Sequence, residues 1–159
     1  MDKKEILSYI EDRPWTRKAN RLERMADILR ALGDPQKGLK YIHVAGTNGK
    51  GSCCAMLTSV LMEAGYKVGT FTSPHLSEYN ERFRINNIPI SDEDLAGIIE
   101  KIRKAEKKLD FEPTLFELLT VIGFTYFRKE KPISWYWKWG WAADSTPPIS
   151  SKSPWSPSS

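Results

Sequence analysis

The stretch that most constrains the fold runs from Tyr41 to Ser52 and reads YIHVAGTNGKGS. An apolar run with β-branched residues stops at Gly46, and a helical pattern begins at Ser52 after a glycine-rich turn. A strand, such a turn and a helix N-terminus form a cradle whose backbone N–H groups wrap anionic oxygens. We therefore expect a triphosphate here, with Lys50 adding a mobile positive charge. The alternative is a plain strand-to-helix turn, since Gly51 separates the lysine and hydroxyl residues that the usual pattern places side by side.

Length and composition favour one soluble cytoplasmic domain. The chain has 159 residues, of which 40% are hydrophobic and 28% charged, as in ordinary globular domains. No apolar run approaches the roughly 20 residues of a membrane helix, and the N-terminal residues lack the apolar core of a signal peptide. We expect no membrane association. The adjacent Cys53 and Cys54 are the only cysteines, and we interpret them as packing residues in a reducing compartment.

The charge pattern gives no support for nucleic-acid binding. The formal net charge is +4 and the pI is near 9.0, yet basic and acidic residues alternate and form no basic stripe. The lysine-rich run from Lys101 to Lys108 is interpreted as a solvated helix face.

The remaining periodicity predicts an α/β fold, with a P-loop-type parallel sheet and flanking helices. Helices are predicted over Asp2–Asp12, from a capping box at Asn20 to Gly33, over Cys53–Ala64, after a cap at Ser91, and over Leu115 to about Arg128 after a capping box of Thr114 with Glu117. A second strand is predicted over 66–72, and a hairpin excursion over 81–90 around Asn86 and Asn87. A strand, a crossover helix and a parallel strand place the glycine-rich loop at the carboxyl edge of the sheet, where ligands bind.

The second strand runs into Thr72, Ser73, Pro74 and His75. The proline ends the ladder and presents Ser73 at the same edge as the glycine-rich loop. From the residues alone, a turn serine and a histidine satisfied by neighbouring backbone are the favoured interpretations of Ser73 and His75. The capping box is a sufficient explanation of Glu117.

From Ser134 the composition changes abruptly, since five of the six tryptophans lie in a stretch rich in serine and proline. We predict that this segment has no partner strand and is disordered. Because tryptophan has a single codon, the reading shifted by two bases is constrained, and from Trp135 onward it spells VLE, then Val or Met, Gly, an apolar residue and Gly. The hypothesis is a frameshift near Ile133 that replaced the third strand of the sheet.

Several motifs together resemble bacterial folylpolyglutamate synthase and bifunctional dihydrofolate synthase, which belong with the Mur-type ligases. The motifs are HVAGTNGKGS, FTSPHL, NERFRIN and PTLFELLT, with VLEVGLGGRLDATN permitted by the shifted frame. The resemblance spans about Leu22 to Pro132, and the family's glycine-rich loop carries the same inserted glycine. Family members are much longer chains with a second domain. Arg21 stands where the family commonly has glycine.

The resemblance implies a Mur-ligase-like ATP-binding domain, incomplete here, with residues 1–133 as its N-terminal part and 134–159 as an out-of-frame tail. It implies ATP phosphates on Thr47, Asn48, Gly49, Lys50, Gly51 and Ser52, with Lys50 as the catalytic cation. It implies magnesium held partly by Ser73, and a pterin or folate near Thr114, Leu115, Phe116 and Glu117. Two further magnesium ligands of the family, a glutamate and a histidine, are absent from the chain.

The implied reaction is phosphorylation of a folate or dihydropteroate carboxylate by ATP, followed by attack of the amine of L-glutamate on the acyl phosphate. The parent enzyme is expected to be monomeric, and the present chain an inactive fragment. Two alternatives stay open, a nucleotide-binding module without catalysis and another phosphate-loop protein such as a nucleotide kinase. The order TSPH and then NERFRIN argues against the kinase.

Overall fold

The computed structural model describes residues 1–14, 21–44, 46, 48–132 and 134–138. Within them the helices and strands follow the predicted order as far as residue 130. They are α1 (Lys3–Glu11), α2 (Arg21–Ala31), β1 (Tyr41–Val44), α3 (Lys50–Glu63), β2 (Val68–Phe71), a 3₁₀ turn (Tyr79–Arg82), β3 (Phe83–Ile85), β4 (Ile88–Pro89), α4 (Asp92–Glu106), α5 (Leu115–Glu130) and β5 (Ser134–Lys138).

One mixed sheet organises these elements, in the strand order β1-β5-β2-β3-β4. The strand β5 pairs in parallel with both β1 and β2, so these three strands share one carboxyl edge. The hairpin of β3 and β4 joins antiparallel to β2 and therefore extends the sheet rather than leaving it. Asn86 and Asn87 have positive φ, 49° and 65°, as a two-residue hairpin turn requires. The α/β prediction with a parallel sheet is confirmed.

The expectation that the segment after Ser134 has no partner strand is wrong for Ser134–Lys138. These residues form β5, an interior strand between β1 and β2, and Trp135 lies opposite Tyr41 on one side and Gly69 on the other. Ladder hydrogen bonds come from the backbone, and tryptophan and tyrosine have high strand propensity, so this segment pairs whatever its reading frame. Residues 139–159 lie outside the described residues, and the frameshift stays a prediction.

Helix ends follow their capping residues. Asp2 caps α1 through a capping box with Glu5, in which each backbone N–H donates to the other side chain at 2.8 Å. Ser91 accepts from the N–H of Asp94 at the start of α4. Such caps satisfy first-turn N–H groups that the helix cannot. The predicted caps of α4 and α5 are confirmed, whereas Asn20 lies outside the described residues.

The main hydrophobic core lies on one face of the sheet, where α1, α2, α4 and α5 pack together. The helix α5 is buried on most sides, as its sequence predicts, and Gly123 lets it approach the ring of Phe83. Phe83 stacks on Phe71 of β2 at 5.2 Å between ring centroids, which joins the helices to the sheet. On the opposite face α3 stands alone over a small cluster built on Cys54 and Val68.

Candidate functional site

The glycine-rich loop follows β1 at the carboxyl edge of the sheet. Gly46 and Gly49 have positive φ, 148° and 74°, so the turn needs glycine at both positions. Gly49 is the N-cap of α3 and provides no side-chain cap, and a Cβ built there would meet no atom within 4 Å. The N-terminus of this 14-residue helix therefore receives no side-chain cap from Gly49. This arrangement suits an anion, as predicted from the sequence.

Lys50 begins α3, two residues earlier than the sequence pattern predicts. Its Nζ donates to the carbonyl oxygen of Gly46 across the loop, which places the ammonium over the turn. Asn48, Gly51 and Ser52 are exposed around it. The structure thus brings five of the six predicted phosphate-binding residues together. Thr47 lies outside the described residues.

A second loop begins where β2 ends, two strands from β1. Because neighbouring strands lie about 4.8 Å apart, the two loops start about 10 Å from each other along the same edge. Ser73 is half-buried, and its Oγ accepts a hydrogen bond from Nη1 of Arg82 at 3.1 Å. The backbone is pinned as well, since the N–H of Thr72 donates to the carbonyl of Arg82 at 3.0 Å. Ser73 therefore lies beside the glycine-rich loop, held by Arg82.

His75 is bound by a side chain rather than by neighbouring backbone, which corrects the interpretation made from the sequence. Its Nδ1 accepts from Nε of Arg82 at 2.8 Å, and its ring lies 4.4 Å from that of Tyr79. Burial and then the guanidinium of Arg82 lower the pKa of His75. An accepting Nδ1 and a lowered pKa both indicate a neutral ring with its proton on Nε2.

Glu81 holds the loop that carries Ser73 in shape. Its carboxylate accepts the backbone N–H groups of Leu76, Ser77 and Glu78 at 3.0 to 3.1 Å. These bonds, the one from Leu76 first, lower the pKa of Glu81, because they favour its charged form. The loop is therefore fixed by a local carboxylate, and Leu76 at its tip is 97% exposed.

The predicted pterin residues lie at the start of α5. In a βαβ arrangement the helix runs antiparallel to the strands, so the N-terminus of α5 lies toward the carboxyl edge of the sheet. Thr114 and Glu117 form a buried capping box, with the N–H of Thr114 donating to Glu117 at 2.7 Å. Nη2 of Arg24 lies 3.7 Å from the same carboxylate. The structure therefore gives Glu117 a structural role, and no described contact joins it to the glycine-rich loop.

Leu115 is buried, and its N–H donates to the carbonyl of Pro14 at 3.0 Å, which ties α5 to the end of α1. Phe116 is 37% exposed. Of the four predicted pterin residues, it has the side chain most open to a ligand.

The donor chemistry fits part of a magnesium site. Magnesium prefers oxygen ligands, and Ser73 offers one beside the glycine-rich loop. A hydroxyl oxygen has two acceptor positions, so the bond from Arg82 leaves one for a metal. Among the described residues no group of three or more His, Cys, Asp or Glu side chains could hold a metal. The described part of the chain therefore supplies a single candidate ligand rather than a complete set.

Arg82 is the residue of this edge that the sequence pattern did not predict. It contacts Ser73 and His75, which are nine and seven residues earlier in the sequence, and hydrophobic periodicity does not predict such contacts. The available signal was the position of an arginine within NERFRIN, just before a short strand.

Comparison with known proteins places this geometry in a family. No protein-family model matches the chain. The chain is 46% identical over 110 residues to the dihydrofolate synthase/folylpolyglutamate synthase of Bacillus subtilis (strain 168), covering 67% of this chain and 26% of that protein. It is 39% identical over 136 residues to the folylpolyglutamate synthase of Lacticaseibacillus casei, covering 82% and 32%. The chain belongs to the folylpolyglutamate/dihydrofolate synthase family.

A solved folylpolyglutamate synthase structure, described as an FPGS-AMPPCP-folate complex, agrees with this assignment. It superimposes with a TM-score of 0.81 and 37% identity, over 86% of this chain and 34% of that chain. The chain thus spans about a quarter to a third of the length of the family members it matches. Within the described residues, no helix has both the length and the apolar character needed to cross a bilayer.

Proposed function

We propose that this chain is part of an ATP-dependent ligase that joins L-glutamate to a folate or to dihydropteroate. The observation that carries the proposal is the uncapped N-terminus of α3 behind Gly49, with the Lys50 ammonium lying over the turn. Backbone N–H groups, a helix dipole and a lysine together suit the phosphates of ATP. The names of the relatives supply the acid and the reaction class.

In this proposal each residue has a separate electrostatic or metal-binding role. Asn48 to Ser52 hold the phosphates, and Lys50 stabilises negative charge on the phosphoryl group in transit, which is mainly positioning and electrostatics. Ser73 would hold magnesium, which supplies further positive charge at the phosphoryl oxygens. The carboxylate of the acid attacks phosphorus and releases ADP. The amine of glutamate then attacks the carbonyl carbon, and phosphate leaves with the carboxylate oxygen.

If the frame is restored, the register of β5 would give a more complete metal site. The shifted reading puts a glutamate at the position of Trp137. That position lies opposite Phe71 on one side and His43 on the other, near the ends of β2 and β1. A carboxylate there would lie at the edge between the glycine-rich loop and Ser73. We therefore propose that residues 1–133 belong to the ligase domain and that 134–159 are read out of frame.

For the acid, we propose the start of α5 as the pterin side of the site. Phe116 offers a partly exposed ring for stacking on a flat heterocycle. Thr114, Leu115 and Glu117 would act mainly by fixing the backbone that presents it.

We further propose that the parent enzyme is a monomer in the cytoplasm, and that the 159 residues by themselves act at most as a nucleotide-binding module. The relatives reported above are folate-family ligases, which favours this function over a nucleotide kinase.

The test uses the frame-restored protein, meaning the product of the same gene read in the shifted frame after Ile133 and continued to the next stop. We expect ADP release that requires both the acid and glutamate. With acid labelled by ¹⁸O in its carboxylate, we expect one labelled oxygen in the released phosphate. ADP release without glutamate, or unlabelled phosphate, would exclude the acyl-phosphate ligase.

A further inference from the structure

Arg82 carries a positive charge that the described residues leave without a carboxylate partner. The side chain is only 9% exposed, and burial lowers its pKa. Its hydrogen-bond partners are a serine hydroxyl and a neutral histidine, and its guanidinium lies 5.4 Å from the centre of the Tyr79 ring. A buried cation is costly unless something compensates its charge. This charge therefore needs an explanation beyond packing.

The nearest acidic side chain in sequence does not supply the missing charge. Glu81 is occupied by three backbone N–H groups of the loop, and its nearest basic side chain is Arg84 at 4.0 Å. By contrast, the half-buried Arg13 pairs with Glu106 at 3.1 Å, and Arg24 lies near Glu117. Among the described residues, Arg82 thus differs from these two arginines because it has no carboxylate partner.

The guanidinium also has a free edge. Of its five N–H groups, Nε–H binds His75 and one on Nη1 binds Ser73. Nη2 makes no hydrogen bond in the described residues, and it is not among their fully buried atoms that lack a partner. Nη2 therefore has no hydrogen-bond partner among the described residues, on the same guanidinium whose Nη1 binds Ser73.

We propose that Arg82 binds the carboxylate of the acid substrate through this free edge, beside Ser73. The inference rests on the proposed ligase function and deepens it by assigning a residue to the reacting acid. An arginine fork matches a carboxylate in shape and charge. The phosphates have their own site at the glycine-rich loop, about two strands away. A cation at the end of β2 therefore suits the substrate carboxylate, which attacks the phosphoryl group. His75 and Tyr79 keep the guanidinium in place.

The experiment measures binding in the frame-restored protein, with the variants Arg82→Gln and Arg82→Lys. Arg84→Gln is the matched control, since Arg84 lies two residues on and its Nε donates to the carbonyl of Glu81. The probes are folate, the diamide of folate, which lacks the carboxylate charges, and AMPPCP, each titrated by calorimetry. A merely structural role would weaken all three, whereas a carboxylate site weakens folate selectively.

We expect Arg82→Gln to weaken folate binding about 10- to 100-fold, as for loss of one charged hydrogen-bonding pair. Binding of the diamide and of AMPPCP should change less than about threefold, which also shows that the variant is folded. Arg82→Lys should lose less affinity for folate, because lysine keeps the positive charge but not the two-pronged guanidinium. If Arg82→Gln does not fold, a selective loss of folate affinity in Arg82→Lys serves as the test instead. Arg84→Gln should bind all three probes normally.

Equal affinity of Arg82→Gln and wild type for folate would overturn the inference, and so would a loss confined to AMPPCP, which would make the bound oxyanion a phosphoryl oxygen. The proposed function is judged separately. If the wild-type protein releases no ADP with acid and glutamate, the ligase proposal is wrong. If the wild-type protein ligates normally and the Arg82 variant binds folate as tightly as wild type, only the role of Arg82 is refuted.

Discussion

The two faces of the sheet differ sharply in how they are covered. One face carries α1, α2, α4 and α5, and residues such as Leu118, Ile122 and Phe127 are completely buried there. Of the described helices, only α3 lies on the other face; its buried residues are Cys54 and Thr58, while Met56 and Val60 remain 62% and 65% exposed. The well-packed face is the source of stability, and the thin face ends in the glycine-rich loop.

This difference separates residues that hold the fold from residues that act at the site. Regions with few buried apolar contacts open at low free-energy cost, and binding loops are commonly drawn from them. Lys50 and Ser73 belong to loops of the carboxyl edge, where replacement leaves the core intact. The comparison predicts that substitutions on the packed face lower stability, whereas substitutions at the carboxyl edge lower activity.

The largest effect is expected for Lys50→Ala in the frame-restored protein. Loss of the cation from the phosphate cradle should lower turnover about 1,000-fold, as for removal of a key transition-state donor. The unfolding free energy should fall by less than about 1 kcal/mol, because the Lys50 ammonium donates to an exposed loop carbonyl, that of Gly46. ADP release and urea unfolding measure the two quantities. Lys67→Ala, which breaks a partly buried pair with Glu130 at 2.7 Å, is the control and should retain turnover.

On the packed side, Leu118→Ala should lower the unfolding free energy by about 3 kcal/mol, through lost burial and the cavity left behind. Met56→Ala on α3 removes a side chain of similar size that is largely exposed, and should change stability by less than about 0.5 kcal/mol. Urea unfolding of both variants gives the comparison directly. Equal losses would mean that the two faces are equally packed.

A smaller, more specific effect is expected for Ser73→Ala. If its hydroxyl is a magnesium ligand, the magnesium concentration for half-maximal activity should rise about tenfold, which is the loss expected from one oxygen ligand of a weakly held ion. Ser77→Ala is the matched control, since Ser77 is exposed on the same loop and its N–H already binds Glu81. A magnesium titration that is identical for Ser73→Ala and Ser77→Ala would return Ser73 to the role of a turn residue.

The smallest effect concerns the helix caps. Thr114→Ala should destabilise the protein by about 1 kcal/mol, because the N–H of Glu117 loses its acceptor in a buried capping box. Ser91→Ala removes the corresponding cap of α4, where Asp94 is exposed at the surface, and should cost the same or less, since water can replace the hydroxyl. Thermal unfolding of the two variants side by side measures the difference.

Much of this architecture could be predicted from the sequence. The caps at Ser91 and Thr114 and the positive-φ pair Asn86 and Asn87 are local signals, and all three are present in the structure. Periodicity is less informative on α3, where the apolar Met56 and Val60 are both exposed. A helix that is apolar on several sides does not reveal by period alone which side meets the sheet.

The failures at the site have a different cause. The contacts of Arg82 with Ser73 and His75 arise because the loop after β2 turns back on the start of β3, and no local rule encodes that approach. The composition of Ser134–Lys138 does not predict its pairing, because the ladder depends on backbone groups and on the gap between β1 and β2.

The most direct test compares the chain of 159 residues with the frame-restored protein in one assay for ADP release that depends on glutamate, alongside the DNA sequence at the codon for Ile133. The account predicts ligation by the restored protein, none by the present chain, and a frame-shifting insertion or deletion in the DNA relative to a gene of a full-length family member. Ligation by the present chain, or an uninterrupted frame together with an inactive restored protein, would contradict it.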